Sequence, residues 1–258
     1  MGPFSVTGQP NAMGGREVGG LANMLAAHMD FGDPVAHKRL TRFWNAPNLA
    51  RSPGLKAIEL FQAIEAGNIR AVWIMATNPV DSLPDADRMK AALAKCPLVV
   101  VSDISDRVDT LAIANVRLPA AGWGEKDGTV TNSERRISRQ RAFLPLPKSA
   151  RPDWWMITQV ARRMGFGDAF RYETAGEIFA EHAALSAFGN AGRRDFDISG
   201  KVGQSASAYA EMEPFQWPLR KKGKSRLFAD GKFFTADRKA RFVAVSPILP
   251  VHAKPGSL

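Results

Sequence analysis

The sequence predicts an α/β protein organised as a Rossmann-like parallel sheet with flanking helices, and three observations carry that reading. Two runs of strand length, IRAVWIMA at 69–76 and PLVVVSD at 97–103, are apolar almost throughout, as strands covered on both faces are. Before and between them lie segments with apolar residues at helical spacing, so helix and strand alternate. A third strand-like piece, NVRLPA, follows another short helical stretch, and right-handed crossovers would place all three strands in one sheet.

Taken in order, residues 1–20 read as a glycine-rich loop carrying Gln9, Asn11, Arg16 and Glu17. Leu21, Leu25 and Met29 stack at i, i+4, i+8 and predict a helix over 20–29. A second short helix is expected from Pro34 to near Trp44, ahead of the breakers Pro47 and Pro53. Leu55, Ile58, Phe61 and Ile64 mark an amphipathic helix that Gly67 stops. After the first strand comes the turn TNPVDSLPD, in which Ser82 is the expected cap of a helix burying Ala86, Met89 and Leu93. Cys96 then precedes the second strand as a buried structural thiol. A short helix over 106–114 leads to the third strand and to AAGWGEKDGTVTNSERRISRQR at 120–141. That stretch has the composition of either an anion-binding loop or a solvated, charged hairpin. Pro152 opens a helix with Trp154, Ile157, Val160, Ala161 and Met164 at helical spacing, closed by Gly165. Thr174 and Glu177 form a capping box for another, on whose apolar side His182 reads as a core histidine. From 189 onward the pattern is turns and isolated aromatics, with short strands and a hairpin turn expected at Asp230-Gly231 and a solvated KKGK loop at 221–224. The resulting division is a loop-and-helix segment over 1–53, a Rossmann-like domain over 54–188, and an irregular, β-containing extension over 189–258.

A net charge of +10 points to an acidic partner: nucleic acid, an anionic surface or a phosphate-rich cofactor. The cations are scattered rather than gathered on one face, which disfavours a non-enzymatic nucleic-acid-binding module. One cysteine excludes an internal disulfide and any multi-cysteine metal or iron–sulfur site within this sequence. No membrane-length apolar run and no secretory signal pattern is present, so a cytoplasmic location with no membrane partner is the expectation.

Ligands of open parallel sheets sit beyond the carboxyl ends of the strands. That rule gathers Asn78, Ser102, Asp103 and the loop after Leu118 around one crevice. Neither G-x-G-x-x-G, nor a P-loop, nor a G-x-S-x-G elbow occurs, and the histidines show no metal-ligand spacing. No catalytic residue and no metal ligand is therefore assigned; binding of an organic cofactor is the better-supported role.

FSVTGQPNAMGGREVGGLA, WIMATNPVDSLPDADR, VVVSDISDRVDT, LPAAGWGEKDGTVTNSERRISRQRAF and ARPDWWMITQVARRMGFG together make the sequence resemble the molybdopterin oxidoreductases over roughly 2–245, and among them the assimilatory nitrate reductase catalytic subunits of bacteria. The resemblance implies a molybdenum atom held by bis-molybdopterin guanine dinucleotide, nitrate reduced to nitrite, and electrons relayed by a 4Fe-4S cluster. Formate dehydrogenase and periplasmic nitrate reductase are the rival members. It further implies that Asn78 contacts the guanine dinucleotide, that Ser102 and Asp103 hold its guanosine part, and that Lys126 and Asp153 complete the set. Arg16 falls near the pterin or the substrate funnel by position alone. Arg135 and Arg136 are expected to pin the loop through Glu125 or Glu134. The cysteine cluster, the metal-coordinating region and a C-terminal barrel of the family have no counterpart here. The expectation is an internal fragment, inactive alone, whose partners are the molybdenum cofactor, the missing N- and C-terminal domains and an electron-donor protein or subunit.

Overall fold

A computed structural model describes residues 10–220 and 227–246. The described residues fall into two units, one within 1–225 and one within 226–258. The KKGK run lies outside them.

The first unit is mixed α/β and contains two three-stranded sheets. β1 (Ala71–Met75), β2 (Leu98–Asp103) and β3 (Val116–Pro119) are parallel in the order 1-2-3. In register, Val72 lies beside Val99 and Ile74 beside Val101, so these four share one face. Onto that face pack Phe61 and Ile64 of α3 (Ala57–Glu65) and Met89, Ala92 and Leu93 of α5 (Ala86–Lys95), with Cys96 inside the same cluster. The opposite face is only partly covered: Trp73 and Val100 are half-buried, and most of β3 is exposed. The apolar runs thus predicted the strands but overstated their burial to two faces.

α3 ends as expected, with Gly67 at φ 76 taking the left-handed turn and Asn68 N–H donating back to the Ala63 carbonyl at 2.9 Å. α2 (Pro34–Trp44) matches its expected range, capped by Asp33, whose carboxylate accepts the Val35 N–H. Two expectations fail locally. The helix predicted over 20–29 is replaced by turns, with Ala27 and His28 both at φ 55, while a short α1 (Ala12–Glu17) forms upstream. There Gly14 is buried and a Cβ would meet the Asn11 side chain at 2.2 Å, so this glycine serves close packing. Ser82, taken as the cap of the next helix, is instead the last residue of α4 (Pro79–Ser82); its hydroxyl donates to the Asn78 carbonyl at 2.9 Å, and Asp85 precedes α5.

The 120–141 stretch folds as the hairpin alternative. β4 (Gly128–Thr131) and β5 (Arg136–Gln140) are antiparallel, and β6 (Phe215–Gln216) adds to β5. Arg135 does not pair with a glutamate: its Nε donates to the Trp217 carbonyl at 3.1 Å and its guanidinium lies 5.4 Å from the Trp217 ring centroid. α6 (Asp153–Ala161) buries Met156, Thr158 and Ala161, leaving Ile157, Val160 and Met164 exposed. α7 (Ala175–Ala187) begins with the predicted Thr174–Glu177 capping box. α8 (Ala206–Ala210) follows near the end of the unit.

In the second unit, Asp230-Gly231 does form a turn: Gly231 has φ 68, and the Asp230 carboxylate accepts the Lys232 N–H at 3.1 Å. No strand flanks it among the described residues.

Candidate functional site

Backbone hydrogen bonds run across the carboxyl edge of the parallel sheet. Ala76 N–H donates to Ser102, Ala120 N–H to Asp103, and Ala121 N–H to Arg151, at 3.0, 2.9 and 2.9 Å. Arg151 pairs in parallel with Ala120 and so extends the edge beyond β3. Asn78, Asp103 and Asp153 each follow or end one of these adjoining strips. The rule for ligand placement on parallel sheets therefore applies to residues from 78 to 153.

Asn78 sits where β1 turns into α4. Its Oδ1 accepts from the Thr110 hydroxyl at 2.6 Å and from the Thr110 N–H at 3.2 Å. The second bond is to a donor-only group, which fixes the amide's orientation. Its Nδ2 has no partner among the described residues. Asp103 ends β2; its Oδ1 accepts the Ser105 N–H at 2.9 Å, an Asx turn, and its Oδ2 is unpartnered among the described residues. Lys126 and Asp153 meet as an ion pair, Nζ to Oδ2 at 2.9 Å, with side chains 24% and 30% exposed. Lys126 is placed by the 3₁₀ turn Trp123–Glu125, in which Glu125 accepts the Gly122 N–H at 2.7 Å. Gly124 in that turn is buried, and a Cβ there would meet Phe143 Cζ at 2.8 Å. Asp153 opens α6, where the helix dipole favours an anion. Its Oδ1 is buried without a hydrogen-bond partner among the described residues.

Four side chains thus each keep unused capacity: acceptor oxygens on Asp103 and Asp153, donor hydrogens on Asn78 and Lys126. Guanine presents N–H donors, ribose presents hydroxyls, and phosphate takes ammonium or amide donors, so the donor set suits a guanine nucleotide. The buried Asp153 Oδ1 adds to that fit, because an unpartnered carboxylate oxygen is costly unless a ligand satisfies it. Two further predicted residues stand apart. The Ser102 side chain is fully buried, and its Oγ accepts the Trp73 Nε1–H at 2.7 Å. Arg16 is exposed in the last turn of α1 and makes no side-chain hydrogen bond among the described residues.

A second polar cluster escaped sequence reasoning. Glu17 is 2% exposed; its carboxylate accepts from Trp217 Nε1 at 2.6 Å and from the Thr131 hydroxyl at 2.8 Å, with His182 Nε2 3.9 Å away. Burial pushes the Glu17 carboxyl up to about 7, against the opposing hydrogen bonds from Thr131 and Trp217. Burial likewise pushes the His182 imidazole down to about 4. His28 lies 3.0 Å from Asp195 and packs on Phe196 and Trp217, while Phe196 also stacks near His182. Although its burial works the other way, the His28 hydrogen bond helps hold Asp195 below the usual carboxylate range. His182 is the core histidine expected. Glu17 gave no sequence signal, since its Trp217 partner is 200 residues away.

A sequence model of the molybdopterin oxidoreductases matches residues 5–163, and the chain belongs to that family. Its relatives narrow the comparison. A nitrate reductase of Klebsiella oxytoca is 54% identical over 246 residues, covering 95% of this chain and 28% of that protein. A nitrate reductase of Shewanella frigidimarina is 49% identical over 249 residues, covering 94% and 26%. The F420-dependent formate dehydrogenase 2 subunit alpha of Methanococcus maripaludis is 37% identical over 179 residues, covering 69% and 26%. The chain spans about a quarter of the length of these relatives.

Proposed function

We propose that this chain is the part of a molybdenum-dependent nitrate reductase that holds the guanosine end of one molybdopterin guanine dinucleotide, with segment 54–188 as the nucleotide-binding domain. Nitrate reductases are the more similar relatives along nearly the whole chain, whereas the formate dehydrogenase matches a shorter part at lower identity. When bound, the molybdenum centre supplies the two-electron chemistry that takes nitrate to nitrite. The residues of this chain bind and orient. Asp103 accepts guanine N–H groups through its free oxygen, Asn78 donates through Nδ2, and the Lys126–Asp153 pair offers one ammonium and one buried acceptor to the ribose and phosphate portion. Arg16 belongs near the pterin or the substrate funnel.

The single observation that carries this reading is the buried Asp153 Oδ1, unpartnered among the described residues, beside Lys126 at the carboxyl edge of the sheet. In the intact enzyme the same proposal includes a 4Fe-4S cluster and an electron donor outside this chain, a cytoplasmic location and a role in nitrate assimilation. Among the described residues no helix is long and apolar enough to cross a membrane. Titration calorimetry with guanosine diphosphate tests the assignment. Saturable binding that Asp103→Ala weakens by about tenfold, the scale of one charge-assisted hydrogen bond, is expected. Equal affinity for adenosine diphosphate would count against guanine recognition.

A further inference from the structure

Away from the sheet edge, the segment after α6 builds a cavity of about 630 Å³. Gly165, at φ 93, lets the chain turn sharply within 162–166. Arg162 fixes the loop that follows, donating to the Phe170 and Tyr172 carbonyls at 2.7 and 3.1 Å and pairing with Glu173 at 2.7 Å. The cavity walls are Phe43 and Trp44 from the end of α2, Phe166, Phe170 and Tyr172 from this loop, and Glu181 from α7. Trp44 Nε1–H and Tyr172 O–H both donate to the Glu181 carboxylate, at 2.7 and 2.6 Å, one to each oxygen. Each oxygen keeps a further lone pair. Burial, then the Glu181 bond, pushes the Tyr172 phenol well above its usual range, so it stays a donor.

In a chain of net charge +10, the charged groups lining this cavity are acidic: Glu181 and Asp168. Asp168 is fully exposed and paired with Arg171, which leaves Glu181 as the effective charge. The Phe166 ring stands 55% exposed at this cavity, an apolar surface for a ligand to cover. Aromatic faces carry negative potential, and several of them around a fixed carboxylate recognise an alkylammonium cation.

We propose that this cavity binds an organic cation of the alkylammonium class, its charge met by Glu181 and its alkyl groups by the rings of Phe43, Trp44, Phe166, Phe170 and Tyr172. The group could arrive on a free small molecule or as a lysine side chain, and the test separates the two. Calorimetry on the 258-residue chain would compare choline, its neutral carbon isostere 3,3-dimethylbutan-1-ol, and Nα-acetyl-lysine amide. Choline or the lysine amide should bind about tenfold tighter than the alcohol, on the scale of one desolvated cation–aromatic and carboxylate contact; the tighter of the two identifies the source. Glu181→Gln should abolish that preference while leaving the alcohol's affinity and the far-ultraviolet circular dichroism unchanged. If Glu181→Gln unfolds, Phe170→Leu serves instead, and should weaken cation binding several-fold more than alcohol binding. Equal affinity for cation and alcohol, no binding of any probe, or a preference untouched by the variants would overturn the proposal.

Discussion

Glu17 is a buried carboxylate whose environment moves it far from its ordinary chemistry. Its folded carboxyl titrates near 7 against a reference of 4.5. A raised pKa means the folded chain holds its proton longer than the unfolded chain, so this group's contribution to stability falls as pH rises from about 4.5 to 7 and is constant above. The shift corresponds to a cost on the order of 3 kcal/mol at high pH. His182 acts in the opposite sense: lowered to about 4 from 6.5, it loses stability as pH falls through that window. In the parent chain the two slopes cancel over much of the acidic range, so the Glu17 contribution shows in the difference between the parent and a variant that lacks this ionisation. Glu17→Gln keeps an acceptor and removes the ionisation. Urea titrations should show the variant gaining on the parent by roughly 3 kcal/mol between pH 4 and pH 8; a pH-independent difference would contradict the assignment. At Lys126, substitution by Met leaves Asp153 without its counter-ion. At about a quarter exposure for both partners the expected loss is about 1 kcal/mol after solvent screening, and Asp153→Asn in the same chain should recover part of it in a double-mutant cycle.

At the scale of elements, the parallel sheet was readable because its signal is local. Apolar runs of strand length and i, i+3 or i+4 spacing fixed β1, β2, α3 and α5 to within a few residues. Leu93, fully buried in α5, is the test of that core: Leu93→Ala should cost about 2–5 kcal/mol in urea unfolding. The 20–29 segment shows the limit of such reasoning. Leu21, Leu25 and Met29 have helical spacing, yet Ala27 N–H donates to the Glu17 carbonyl at 2.8 Å, and a Cβ on Gly19 would meet the Ala26 nitrogen at 2.6 Å. That close tertiary approach outweighs local propensity. Gly19, at φ 74, has both reasons to resist substitution, and Gly19→Ala should lower stability by about 2 kcal/mol or more. A loss under half a kilocalorie by the same measurement would mean the turn relaxes freely. The stripe of Ile157, Val160 and Met164 misled for the converse reason: periodicity identifies a helix, but the neighbours decide which face is covered.

Across the whole molecule, the candidate site was legible where chain position alone places a side chain. Asn78, Asp103 and Asp153 stand at successive strand ends or just beyond, and Lys126 reaches Asp153 across 27 residues because the third strand and the Arg151 strip adjoin. Ser102 was chosen by the same rule, yet strand alternation and Trp73 turn its hydroxyl into the fold. The Glu17 cluster and the aromatic cavity were illegible because the first joins α1, the 120–141 hairpin and residues beyond 180, and the second joins the end of α2, the loop after α6 and α7, and no local pattern encodes such pairings. We propose that the sheet edge holds the guanosine end of the molybdenum cofactor. The most direct test is to purify the intact enzyme with Asp103→Ala and count molybdenum and acid-released guanine nucleotide per polypeptide. The account predicts that both fall together, by about fivefold or more, with the circular dichroism of the parent retained. Full molybdenum and guanine content in the variant would contradict it.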